Sequence, residues 1–475
     1  MITLALFGTF FVLLFLGVPV AFALGLAAVV ALVAAGGPGD IAVLPSVFTA
    51  SVSSETLLAI PFFILAGVIM EYAGISRRLI DFASACVGHR KHGLAAVVIL
   101  AAFFFSAISG SGPATVAAIG AILIPALIRQ GYSRSHSASM VASAGSMGLI
   151  IPPSVVFIVF AVVVSDFAGV SIARLFVAGV VPGILLAVAL LVACLFLPRT
   201  APVAEPATVG VSGSGPTAIA DGGTGPDGGA GGSGTAGRPA SAGAPGVALE
   251  ARTSWATLAG AFGRALPGLL LPVIILGGIY GGIVTPTESA VVAAFYALVV
   301  GLFVYRELRP SMLFRVLVTA AMQSAVIMLI VGAASVFAYV VTANGIASTL
   351  AEAMLALTGN LYVVLFLVVV LLLVIGAFID AISALYLLVP IVAPVLLALD
   401  VDPTTIGVMM TVGLALGLIT PPVGVNLFVA AGIAHTSLGD AFRGIRPFFV
   451  AGLVVLLLVT YLPVLSNGLP DLLGF

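Results

Sequence analysis

Apolar residues fill this chain in long blocks separated by short polar breaks. From Leu4 to Leu465, stretches long enough to cross a bilayer recur. About 20 apolar residues in a helix span roughly 30 Å of hydrocarbon. The pattern predicts spans at 57–73, 139–165, 174–197, 266–283, 287–304, 316–341, 404–433 and 446–464. Residues 1–36 are almost wholly apolar. As one helix they would run about 54 Å, so a break at Gly17-Val18-Pro19 and two short spans are expected. Segments 94–128 and 361–399 are too long for one crossing, and each carries small or polar residues at its middle. Backbone groups in lipid must be satisfied within the segment, so the expected fold class is an all-α polytopic membrane protein. It has about ten spans and two re-entrant helical hairpins.

Composition narrows this further. Of 475 residues, 62% are hydrophobic and only 7% charged, with a net charge of −1. That leaves no basic footprint for nucleic acid and too few charges to cover a soluble fold. Two cysteines, Cys86 and Cys194, are too few for a disulfide framework or metal cluster. No basic residue precedes the first apolar stretch, so no signal peptide is expected. With both termini outside, every Arg and Lys except Arg174 falls on one side. Loops 37–56, 342–360, 400–403 and 465–475 hold no Lys or Arg, and their charged residues are all acids. The basic side is therefore expected to be cytoplasmic and the chain multi-pass in the inner membrane.

Residues 199–251 break the pattern. They are rich in Gly, Ala, Pro, Ser and Thr, and read as a disordered cytoplasmic linker between halves 1–198 and 252–475. The two halves resemble each other. Gly148-Leu149-Ile150-Ile151-Pro152-Pro153 recurs 269 residues on as Gly417-Leu418-Ile419-Thr420-Pro421-Pro422. Pro125 and Pro394 share that offset, and Gly74-Ile75 recurs as Gly345-Ile346. The first hairpin (94–128) would begin and end inside, the second (361–399) outside. Oppositely inserted repeats are the plan of secondary transporters, whose sites form near the midplane from broken helices.

The paired prolines remove amide donors in mid-span and free carbonyls one turn back. Such backbone is tolerated in the membrane only where it lines a cavity or binds something, and its oxygens suit a hard cation such as Na⁺. At the first hairpin tip, Ser109-Gly110-Ser111-Gly112-Pro113-Ala114-Thr115, the glycines allow a tight turn and Pro113 suits the first turn of the returning helix. That helix start would offer positive dipole and amides to an anion, joined by hydroxyls of Ser109, Ser111 and Thr115. The second tip is Ile379-Asp380-Ala381-Ile382-Ser383. An intramembrane Asp380 reads as a cation ligand; the alternative is a tip that reaches bulk water.

Glu288, in Thr285-Pro286-Thr287-Glu288, reads equally as an ion ligand or as the N3 residue of a helix start capped by Thr285. Asn426 could face the second site or act as interhelical glue. Ser143, Ser146 and Ser154 flank the first break and read mainly as small packing residues. His89, His92, His136 and His435 show no metal-ligand spacing. No nucleotide loop or catalytic constellation occurs, so an enzyme or ATP-driven pump has no support, and no cofactor is expected.

These motifs resemble the large membrane subunit of tripartite ATP-independent periplasmic (TRAP) transporters, of the dicarboxylate-permease type. Residues 17–25, Ile60-Pro61-Phe62-Phe63, the Ser109–Thr115 tip, 148–154, 282–290 and 417–426 carry the likeness. The resemblance implies an elevator-type, Na⁺-coupled importer of organic-acid anions such as C4-dicarboxylates, keto acids or sugar acids. It also implies a separate small membrane subunit and an extracytoplasmic solute-binding protein that delivers substrate. Carried over by motif, Ser109, Gly148, Ile150, Pro152, Asp380, Gly417, Thr420, Pro421 and Glu288 would serve Na⁺. Ser109, Gly110, Ser111, Gly112, Thr115, Ser383 and Asn426 would serve the substrate. The long linker departs from the family's usual short connection. The alternatives are a self-sufficient ion-coupled anion symporter and an assembly protein with no substrate.

Overall fold

The computed structural model describes residues 2–36, 38–89, 92–198, 255–357 and 359–475, and every element in them is helical. The linker expected at 199–251 lies wholly outside the described residues. The amino-terminal half contains α1 (Ile2–Phe15), α2 (Val20–Gly36), α3 (Leu44–Val52), α4 (Ala59–Tyr72) and α5 (Ile75–Val87). The first hairpin follows as α6 (Gly93–Ser109) and α7 (Gly112–Arg129), then α8 (Arg134–Ser146), α9 (Val155–Val164) and α10 (Ile172–Leu195). The other half opens with α11 (Trp255–Tyr280), α12 (Pro286–Val299), α13 (Pro310–Ala343) and α14 (Ile346–Leu357). The second hairpin is α15 (Leu361–Gly376) and α16 (Ala381–Leu397). It leads to α17 (Pro403–Gly417), α18 (Val425–Ala434), α19 (Leu438–Gly444), α20 (Arg446–Tyr461) and α21 (Val464–Leu473).

Six described helices or helix runs are long and apolar enough to cross a membrane: 55–72, 112–129, 172–195, 255–280, 286–304 and 310–343. The spans expected at 139–165 and 404–433 are each broken in two, at the paired prolines. The first gap separates α8 from α9 and the second α17 from α18. The Gly17 turn between α1 and α2 has φ +81°, a left-handed backbone that glycine adopts without strain. The expected outer loops hold more helix than their polarity suggested, since α3, α14 and α21 lie within them.

All three repeat landmarks recur as geometry. Pro125 and Pro394 sit inside the returning helices α7 and α16. Gly74 and Gly345, at φ +70° and +63°, make the turns into α5 and α14. Pro152-Pro153 and Pro421-Pro422 are both cis.

Packing sorts the helices into two groups. In one, α12 lies along α4, α13 runs against α2, α3 and α4, and α11 joins α5 and α12. In the other, α7, α8 and α18 pack together, as do α15, α17 and α20, with α10 against α17, α20 and α21. The contact of α13 with α16 and that of α5 with α6 join the groups. Arg174, the exception to the charge pattern, is paired: its guanidinium lies 2.7 Å from Asp471 and donates to Thr404 Oγ1 at 2.9 Å and to the Phe475 carbonyl. These contacts hold α21 against α10 and the start of α17.

Candidate functional site

The first tip is built by two residues between α6 and α7. Gly110 closes α6 at φ +60°, and a β-carbon there would come within 3.0 Å of the Pro153 carbonyl. Ser111 then enters α7 in extended backbone (φ −134°, ψ 128°). Its carbonyl accepts from Thr115 N at 3.1 Å and Thr115 Oγ1 at 2.8 Å, and from Ser109 Oγ at 3.4 Å. Two of the three hydroxyls expected to hold an anion therefore donate to the tip's own backbone. The Ser111 hydroxyl makes no cap hydrogen bond, so no side chain covers the first turn of α7. The helix start keeps amides and positive dipole exposed to the cavity.

The second tip closes differently. Asp380 is the N-cap of α16: Oδ1 accepts from Ile382 N and Ser383 N, both at 3.0 Å, and Oδ2 accepts from Ser383 Oγ at 2.5 Å. The carboxylate cancels this helix's amino-terminal dipole. Both its oxygens already accept hydrogen bonds, though each retains a further lone pair. Asp380 is half-buried, and Ser383 is fully buried behind it.

Each tip lies directly on the neighbouring break. A β-carbon on Gly148 would sit 2.7 Å from the Ser111 carbonyl oxygen, and one on Gly417 would sit 2.5 Å from Gly376 Cα. Gly424 N also donates to the Ala377 carbonyl at 3.4 Å. Part of the freed backbone is satisfied internally: Leu149 O accepts from Ser154 Oγ at 2.5 Å, and Leu418 O from Asn426 N at 3.0 Å. Thr420 Oγ1 donates back to Leu416 O at 2.7 Å. The Ile150 carbonyl faces α10, where a β-carbon on Gly179 would approach it to 2.6 Å. Pro152 is buried and Pro421 exposed.

Asn426 crosses between the halves. It is fully buried, its Nδ2 donates to Ala142 O at 3.4 Å, and its Oδ1 has no hydrogen-bond partner. A β-carbon on Gly112 would meet both polar atoms of its amide at 3.0 Å. Glue and tip contact are thus combined in one side chain. Glu288 stands elsewhere. Its Oε2 accepts from Thr285 N at 2.8 Å and Thr285 Oγ1 at 3.0 Å, while Thr285 Oγ1 accepts from Glu288 N at 3.2 Å. This is a complete capping box on an exposed turn, and Glu288 does not line the cavity described next.

A cavity of about 610 Å³ brings the tips together. Ser109, Gly110, Ser111 and Gly112 line it from the first hairpin, and Asp380 from the second. Leu149 and Leu418 contribute one residue from each break. Thr115, Ser383 and Asn426 support the tips from behind. The volume suits a small organic molecule, and its apolar wall with a few convergent polar groups is typical of such sites. The residues missed by sequence reasoning are Glu71 and Gln323, which line the opposite wall. Gln323 carried a signal, a polar residue in mid-block of an apolar helix, whereas Glu71 lies at the end of its helix, where an acid is ordinary. Among the described residues, no group of three or more His, Cys, Asp or Glu could hold a metal ion.

The chain matches the family described as "Tripartite ATP-independent periplasmic transporter, DctM component" over residues 7–465. It is 40% identical to the isethionate TRAP transporter permease protein DctMQ of Oleidesulfovibrio alaskensis, over 96% of this chain but only 65% of that longer relative. It is 40% identical to the C4-dicarboxylate TRAP transporter large permease protein DctM of Pseudomonas aeruginosa, over 88% of this chain and 87% of the relative. The corresponding Rhodobacter capsulatus protein is 34% identical over the full length of both. Among solved structures, the Alcanivorax borkumensis YdaH transporter matches with a TM-score of 0.59 at 17% identity, covering 88% of this chain and 86% of that one, which speaks to the fold alone. A helical, multi-pass chain with this match is a transport protein and not an enzyme, and it belongs to the DctM family of TRAP transporter large permease subunits.

Proposed function

We propose that this subunit imports organic-acid anions, coupled to Na⁺, with a separate small membrane subunit and an extracytoplasmic solute-binding protein that delivers the substrate. The observation that carries the reading is the meeting of two unlike tips in one cavity. An uncapped helix start with the Ser111 hydroxyl favours a carboxylate or sulfonate. A carboxylate at the other tip, beside freed backbone oxygens, favours a cation. An anion and a cation bound together partly cancel each other's charge, which lowers the cost of carrying either through the membrane. The C4-dicarboxylate and isethionate relatives support the anion class. The one-sided distribution of basic residues supports a cytoplasmic basic side with both termini outside. The division of the helices into two groups supports movement of the tip-bearing group against the other.

The test is reconstitution of the chain with its small subunit in liposomes, with the solute-binding protein supplied outside. An inward Na⁺ gradient is expected to drive uptake of malate, fumarate or isethionate only when that protein is present. Uptake indifferent to the gradient overturns the coupling. Uptake by the chain alone supports the self-sufficient symporter instead.

A further inference from the structure

The wall of the cavity that faces the tips comes from α4 and α13. Ile64, Gly67 and Val68 of α4 and Val326, Ile327 and Ile330 of α13 recur at helical spacing and present an apolar face. The face changes character at one end. Glu71 continues the α4 stripe and is the penultimate residue of that helix, and Gln323 continues the α13 stripe toward its amino-terminal end. Both lie toward the basic side of the molecule. After α4 the chain turns at Gly74 into the segment bearing Arg77 and Arg78, and α13 is approached through Arg306 and Arg309.

Glu71 is exposed to this cavity and, among the described residues, forms no ion pair and accepts no side-chain hydrogen bond. Asp380, the other acid in the lining, is occupied in capping α16. No Lys or Arg lines the cavity among the described residues. An anion passing this end of the cavity therefore meets a fixed negative charge with no base to offset it, whereas a cation is attracted.

We propose that Glu71, assisted by Gln323, is a charge filter at the basic-side end of the cavity. It lowers the local concentration of anions and raises that of cations at that end of the cavity, on exit and on entry alike. The inference rests on the reading of the cavity as the transport site. Glu71 is a specificity-determining residue for the sign of charge admitted at that end of the cavity and has no part in holding the substrate at the tips.

The filter is tested on the full chain in membrane vesicles, in a Cys86→Ala, Cys194→Ala background. Val326→Cys places a reporter thiol on the apolar face, and Ile330→Cys supplies a second should the first not fold. The thiol is modified from the basic side with cationic and anionic methanethiosulfonates of similar size, each rate normalised to a small free thiol. One unit charge about 10 Å away in a medium of intermediate dielectric changes local ion concentration roughly fivefold. With the cation enriched and the anion depleted by that factor, the cationic reagent is expected to react roughly twenty-fold faster than the anionic one. Glu71→Gln should lower the ratio several-fold, leaving only the part that Asp380 contributes, and Glu71→Asp should retain it. A ratio unmoved by Glu71→Gln, or a thiol modified faster from the acidic side, overturns the filter. Loss of Na⁺-driven malate uptake in wild type, with the ratio intact, would sink the transport reading and leave the filter standing.

Discussion

The two hairpins share a backbone plan and close it with opposite chemistry. Each has a helix ending at a tight turn, a returning helix with an internal proline, and a broken helix packed against the tip. At the first tip no side chain caps α7, and the polar groups beside its start are hydroxyls, backbone and the Asn426 amide. At the second, Asp380 fills the cap of α16 with a negative charge. The breaks differ as well. Gly148–Ser154 is buried throughout, whereas Pro421, Pro422 and Val423 are exposed. An internal repeat thus specifies where backbone is interrupted, and single side chains at the tips then decide which sign of charge each interruption suits. A shared backbone plan supports unlike binding because a helix start is attractive to anions only while nothing else covers it.

The largest effects should come from the glycines where tip and break touch. Gly417→Ala places a methyl group 2.5 Å from Gly376 Cα, and Gly148→Ala places one 2.7 Å from the Ser111 carbonyl. Both neighbours are backbone and have little freedom to retreat. Overpacking of this kind costs about 1–3 kcal/mol and displaces the tip. Uptake in proteoliposomes is expected to fall at least about a hundredfold for both variants, since displacement of about 1 Å at a site can cost that much. Near-normal uptake for either would show that its tip does not need to rest on the break.

Asp380 separates charge from capping. Asp380→Asn keeps a side-chain oxygen for the Ile382 and Ser383 amides and removes the charge; Asp380→Ala removes both. The alanine variant should lose about 1 kcal/mol of stability in a thermal melt, and the asparagine variant much less. If the charge serves a cation, both variants should lose most Na⁺-dependent uptake. An asparagine variant with wild-type Na⁺ dependence would reduce Asp380 to a cap and remove the main contrast between the tips.

How much of this was legible in the chain depends on how local the cause was. The hairpin expected at 94–128 is helical over 93–109 and 112–129, because apolar runs and a Gly-Ser turn are local signals. The capping box at Glu288 was legible for the same reason. Asp380 as a cap could have been read from Asp380-Ala381-Ile382-Ser383, but its position amid apolar sequence drew attention to its charge instead. The direction of the Ile150 carbonyl, toward Gly179, depends on α10 arriving from elsewhere in the chain. Arg174 is similar: its partner Asp471 is 297 residues away, so it looked like a plain violation of the charge pattern. Glu71 sits near a span end, where an acid reads as ordinary until α13 supplies the opposite wall.

Ser111→Ala sharpens the comparison at the first tip. Ser109 and Thr115 hydroxyls already bond to the Ser111 carbonyl, which leaves Ser111 Oγ as the hydroxyl best placed to meet an anion. A hydrogen bond to a charged group contributes about 1.5–3 kcal/mol. The half-saturation for the transported anion should rise roughly tenfold or more, with the Na⁺ dependence unchanged. The reverse pattern, altered Na⁺ dependence at unchanged anion affinity, would exchange the roles of the two tips.

The smallest effect is expected at the cap that lies away from both tips. Thr285 and Glu288 bond reciprocally at the start of α12, on an exposed turn, and Thr287 Oγ1 donates to the Glu55 carbonyl at 3.1 Å beside them. Thr285→Ala removes one half of the box and should lower stability by about 1 kcal/mol. Its effect on uptake and on Na⁺ dependence should be within twofold, because α12 packs on α4 and not on either tip. Glu288→Gln keeps an acceptor for the Thr285 amide while discarding the charge, and should match wild type in both assays. A large loss of Na⁺-dependent uptake in Glu288→Gln, with stability intact, would add a third acid to the ion pathway. The contrast between one neutral and one acidic tip would then no longer account for charge selection on its own.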